Sequence, residues 1–106
     1  MSAFRPSAYA PPVSPAAVQA DYPGFSFDTF RDPPGQIWAD FVHDVDEFVV
    51  VAEGWIAIEV GTERAECLPG DLVRIPAGAR HTLRTAPEQG SIWFYGYGRF
   101  EERPDD

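Results

Sequence analysis

The chain has 106 residues, a formal net charge of −9, eight basic residues that are all arginine, and one cysteine, Cys67. This length fits one small domain. The acidic balance argues against a nucleic-acid partner, which needs clustered cations. No polybasic stretch suggests a membrane surface, and no apolar run is long enough to span a bilayer. A lone cysteine cannot form an internal disulfide. The first twenty residues lack the continuous apolar stretch of a signal peptide, so the expected location is the cytoplasm.

Residues 1–22 are rich in proline, alanine and serine, a composition that predicts an extended or disordered N-terminal arm. From residue 23 the pattern changes. "GFSFDTF" alternates, with Phe25 and Phe27 on one side. "DPPG" at 32–35 is a turn. Residues 36–54 read as one long strand or two short ones, ending in a turn at Glu53-Gly54. "WIAIEV" is an alternating strand, and "GTER" turns it into "AECL". "PGD", "PAGA" and "PEQG" are further turns, separating "LVRI", "RHTLRT" and "SIWFYGYG". The tail at 101–106 is polar. Roughly eight or nine short strands, closely punctuated by turns, predict an all-β sandwich or closed barrel over residues 23–100. No helical periodicity of useful length stands out.

The stretch "DFVHDVDEF" at 40–48 carries the first chemical signal. Strand side chains alternate between faces, so an unbroken strand places Phe41, His43, Val45, Glu47 and Val49 together. That face is mostly apolar and points inward. A buried, ionised Glu47 is costly unless paired, hydrogen-bonded or bound to metal. The chain's second histidine, His81, follows a proline-glycine turn and opens another strand. His43, Glu47 and His81 make a two-histidine, one-carboxylate set suited to iron(II), zinc, nickel or manganese. The alternative at these residues is a buried hydrogen-bonded cluster without a metal. Asp44 and Asp46 have the opposite parity and are expected to be solvated or paired with arginine.

The spacing resembles that of the cupin family. Its first motif, G-x5-H-x-H-x(3,4)-E-x6-G, is matched by Gly35, His43, Glu47 and Gly54, with Phe41 at the position of the first histidine. Its second motif, G-x5-P-x-G-x2-H-x3-N, is matched by Gly70, Pro76, Gly78 and His81, with Thr85 in place of the asparagine. The resemblance covers about residues 35 to 98. It implies a double-stranded β-helix, or jelly-roll, barrel. It also implies one divalent metal ion held by His43, Glu47 and His81, with Phe41 leaving that site one ligand short. A homodimer is a further implication.

Among the aromatic residues, Trp93, Tyr95 and Tyr97 share a strand face. Trp93, Tyr95 and Phe41 are the candidates for the pocket lining, alongside a structural role for most of the others, Trp38 and Trp55 included. Arg80 and Arg84 have the opposite parity to His81 and are expected to face away from it. The glycines and Pro76 of the motifs are expected to set turns.

The reading that follows is a small metal-binding barrel for a small organic molecule. Its candidate activities are those of a dioxygenase or of an isomerase or lyase. The alternatives are a non-catalytic binding or sensor barrel and a structural dimer with a vestigial metal site. No catalytic residue beyond the metal ligands can be assigned from the sequence.

Overall fold

The computed structural model describes residues 2–100, which include nine β-strands and one α-helix. One antiparallel sheet has the order β1 (Phe4–Arg5), β7 (Leu72–Ile75), β4 (Asp46–Glu53), β9 (Ser91–Gly98) and β2 (Asp28–Asp32). The other has the order β3 (Ile37–Phe41), β8 (His81–Thr85), β5 (Ile56–Val60) and β6 (Glu63–Cys67). Neighbours in each sheet are mostly distant in sequence, so the chain passes back and forth between the sheets, as in a jelly roll. The all-β jelly-roll expectation holds. The polar tail predicted at 101–106 lies outside the described residues.

The main core fills the space between the sheets. Val49 and Val51 of β4, Ile56, Ile58 and Val60 of β5, Val73 and Ile75 of β7, Leu83 and Trp93 all contribute to it. Cys67 is buried in this core, and burial, with Asp71 nearby, pushes its thiol up to about 12. It is a small apolar filler rather than a nucleophile. A second cluster covers the outer face of the five-stranded sheet, built from Phe48 and Val50 of β4, Leu72, Phe94, Phe100, Val13 and Val18. Strand β4 is thus buried on both faces. That is why its sequence is a continuous apolar run, Phe48 to Val51, rather than an alternation.

The N-terminal residues correct the expected extended arm. They contain β1, paired with β7, and helix α1 (Pro15–Asp21). Ser14 caps the helix by accepting a hydrogen bond from the Ala17 amide, and Pro15 stands where its missing N–H costs nothing. A seven-residue helix is marginal alone. Val18 is fully buried in the second cluster, and such burial contributes roughly 1.5–3 kcal/mol. The segment before α1 is tied down through Asp71, which accepts a hydrogen bond from the Ser7 amide, and by Tyr9 N–H bonding to Gly70 O.

Residues 36–54 hold two short strands in different sheets, with residues 42–45 crossing between them. The single-strand parity expected for Phe41 to Val49 therefore fails. The β3–β8 register slips between Trp38 and Phe41, and Asp40 adopts a φ of 58°. Asp40 tolerates this left-handed conformation better than a branched residue would. Val45, placed inside by the alternation, is exposed. Among the described residues, no helix is long and apolar enough to cross a membrane.

Candidate metal centre

Three chain segments deliver the candidate ligands. His43 lies in the crossing between β3 and β4, Glu47 is the second residue of β4, and His81 is the first residue of β8. Their ligand atoms all lie within 4.8 Å of one another. Glu47 Oε1 is 3.6 Å from His43 Nε2 and 3.4 Å from His81 Nε2. The three residues meet as the sequence predicts, although His43 arrives from a loop and not from mid-strand.

Backbone contacts hold this geometry. The Gly78 amide donates to the His43 carbonyl at 2.8 Å, joining the crossing to the turn that precedes His81. Gly78 has a φ of 85°, which its missing Cβ permits. Asp46 is fully buried and accepts hydrogen bonds from the Ala77 amide at 2.8 Å and the Phe100 amide at 2.7 Å. This corrects the expectation of a solvated Asp46. Its carboxylate satisfies one main-chain donor in the turn before His81 and another just after β9. Asp44 is exposed, and Arg80 is also exposed, 3.9 Å from Asp40. The signal for Asp46 in the sequence was its position at the head of a strand buried on both faces.

The chemistry of the three groups calls for a positive centre. His81 Nδ1 lies 3.1 Å from the Ala79 carbonyl, which can only accept, so Nδ1 carries a proton. A neutral His81 then turns the Nε2 lone pair toward Glu47 Oε1. That oxygen is buried and, among the described residues, has no hydrogen-bond partner. Two lone pairs face each other at 3.4 Å, which is unfavourable without a proton or a cation between them. The His81 pKa reflects the same field. Burial disfavours the imidazolium, but the Glu47 carboxylate and the Ala79 carbonyl outweigh burial and raise the pKa. A divalent ion satisfies the same atoms, with the Ala79 contact orienting the ring as an outer-shell partner does. The donor set therefore fits the ion that the sequence implies.

The triad forms one end of a cavity of about 180 Å³. Phe30, Trp38, Phe41, Leu83, Trp93, Tyr95 and Tyr97 complete the lining. The three predicted lining residues, Phe41, Trp93 and Tyr95, are all present in it. Phe41 is partly exposed, with its ring centroid 6.1 Å from each histidine ring. Tyr97 packs edge-on against His43 at 5.1 Å. Burial and the Glu47 charge push the Tyr97 phenol up to about 12, and burial with Asp28 and Glu47 also raises Tyr95. Sequence reasoning missed Phe30 and Leu83, and it gave Trp38 no assigned place in the wall. Trp55 is half-buried and lies outside this lining.

The family model for the cupin domain matches residues 29–94. The chain belongs to the cupin family. Solved cupin-fold structures are similar to it. TT1209 from Thermus thermophilus is 28% identical, with a TM-score of 0.64 over 73% of this chain and 75% of that one. The cupin domain of Schizosaccharomyces pombe Cnp3 is 12% identical, with a TM-score of 0.67 over 74% of this chain and 55% of that one. The DMSP lyase DddQ from Ruegeria pomeroyi is 21% identical, with a TM-score of 0.63 over 76% of this cupin and 41% of the lyase. No curated protein sequence matches the chain. The fold alone names no activity, so the site and not the barrel must carry the functional argument.

Proposed function

We propose that this cupin binds one divalent metal ion through His43 Nε2, His81 Nε2 and the Glu47 carboxylate, and uses it to hold a small organic molecule. The observation that carries this reading is Glu47 Oε1: buried, unpartnered among the described residues and within 3.6 Å of two imidazole nitrogens. Three protein ligands leave positions open, as metal sites that act on substrates do. Iron, zinc, nickel and manganese all suit this donor set. When bound, the ion supplies Lewis acidity or, for iron, a site where an organic molecule and dioxygen meet. The chain's own residues bind and orient. The aromatic wall excludes water, and Glu47 serves as a ligand rather than a free base.

A second reading, a non-catalytic binding barrel, is favoured by one observation. Apart from the triad, the ionisable groups in the lining, among the described residues, are Tyr95 and Tyr97, both held above their ordinary value. Neither is a ready proton acceptor near neutral pH. Cobalt(II) titration of wild type and His81→Ala tests the metal reading. Saturable ligand-field absorption in wild type, lost in the variant, supports it. Identical spectra would contradict it. Dioxygen consumption with candidate ligands then separates an oxygenase from the other two types.

A further inference from the structure

Asp32 ends β2 and is buried, with 5% of its surface exposed. It receives Trp38 Nε1–H on Oδ1 at 2.9 Å and Trp93 Nε1–H on Oδ2 at 2.6 Å. Trp38 belongs to the four-stranded sheet and Trp93 to the five-stranded one, so a single carboxylate ties the two sheets behind the cavity. Both indoles line the cavity, and Asp32 lies outside its lining. The indole N–H edges therefore point out of the cavity, and their apolar faces and edges remain inside. Phe30 packs against both, at centroid distances of 5.6 Å to Trp38 and 5.3 Å to Trp93. Ring contacts lead from His43 through Tyr97, Tyr95 and Trp93 to Phe30 and on to Trp38, so the far wall is made of Phe30, Trp38 and Trp93, with Leu83 paired to Trp38, and it offers a ligand no side-chain donor or acceptor. Tyr97 packs edge-on against His43 at 5.1 Å, at the triad end, and Tyr95 stands between Tyr97 and Trp93, at centroid distances of 5.8 Å and 5.2 Å.

We infer that Asp32, by taking both indole N–H groups, restricts the ligand to one chemical class: a small molecule with a single anionic or hydroxyl head at the triad and a body that is apolar to its far end. The head assignment rests on the metal-site reading, since a divalent ion beside Glu47 leaves net positive charge for an anion to balance. The wall assignment does not depend on it. A cavity of about 180 Å³ is smaller than most drug-sized ligand sites, so the body is of the order of a single ring. A hydroxyl at the far end would lose its water and gain no partner.

Two isosteric pairs test this by quenching of tryptophan fluorescence. In metal-loaded protein the pair is 4-methylbenzoate and 4-hydroxybenzoate. In metal-free protein it is p-cresol and hydroquinone, where one hydroxyl can meet Glu47 and the other substituent must face the wall. The expected result is that the methyl member of each pair binds roughly tenfold tighter or more. In Asp32→Asn the side-chain amide meets one indole donor to donor, which turns that N–H toward the cavity. The preference should then shrink to within about threefold, an effect that general loosening of the barrel would not direct at the hydroxyl.

Equal or tighter binding of the hydroxyl members by wild type overturns the inference, and so does an unchanged preference in Asp32→Asn. If that variant does not fold, exchange of the wild-type indole N–H resonances decides. Slow exchange for Trp38 and Trp93, unchanged by 4-methylbenzoate or, in metal-free protein, p-cresol, supports the clamp. Fast exchange overturns it. If no metal loads, the metal-site reading fails and the anionic head falls with it, while the p-cresol and hydroquinone pair still judges the wall.

Discussion

The carbonyl oxygen of His43 accepts a hydrogen bond from the Gly78 amide at 2.8 Å. One bond thus joins the loop that carries the first histidine to the turn that delivers the second. Asp46 secures the same turn through Ala77 and anchors Phe100 through its other oxygen. Asp46→Ala orphans two main-chain amides, one of them at a buried bond. The expected cost is about 2–4 kcal/mol, read as a lower urea midpoint with the slope unchanged. Asp46→Asn keeps one acceptor and should cost less. Metal affinity should fall roughly tenfold in the alanine variant, because the His81 turn is no longer fixed.

Phe41 stands where the family motif has its first histidine, and its ring lies 6.1 Å from those of His43 and His81. Phe41→His should add a fourth protein ligand. The expected result is a metal dissociation constant lower by about tenfold or more, measured by competition with a chromophoric chelator. Stability without metal should change little, because Phe41 is 39% exposed.

Tyr97 supplies a pH-dependent readout of the site. Its phenol is held at about 12 by burial and by the negative charge of Glu47. The ionised form is an anion, so a cation placed on Glu47 favours ionisation and lowers this pKa. Loading the metal should move the alkaline tyrosinate absorbance change downward by roughly one unit or more. The linkage to stability follows from the raised value. Between the ordinary phenol value of 10.0 and about 12, the unfolded chain has released a proton that folded Tyr97 retains. Tyr97 therefore lowers stability as pH rises through that window, and the loss should narrow when metal is bound.

Much of the fold was legible because turn chemistry and strand alternation are local signals. The turns at 32–35, 69–71 and 76–79 fall between strands as their sequences predict. The spacing of the two motifs was enough to bring His43, Glu47 and His81 together. Helix α1 was hidden because a seven-residue helix with one buried contact, Val18, has no periodicity to read. The continuous run from Phe48 to Val51 went unread as the mark of a second covered face, which α1 and its neighbours cover. The parity argument reached the correct residues by an incomplete route. The left-handed Asp40 lies beside the register slip, and its amide bonds to the Thr82 hydroxyl, forty-two positions along the chain. The Asp32 clamp was equally illegible, since its partner Trp93 lies sixty-one positions away.

The metal content of untagged protein, measured by inductively coupled plasma mass spectrometry beside Glu47→Gln, tests the central claim most directly. Glutamine keeps the shape of Glu47 and removes its charge. The account predicts about one iron, zinc, nickel or manganese ion per wild-type chain after loading, and loss of most of it in the variant. A wild-type protein that retains no ion after loading, or a variant that retains as much as wild type, would contradict it.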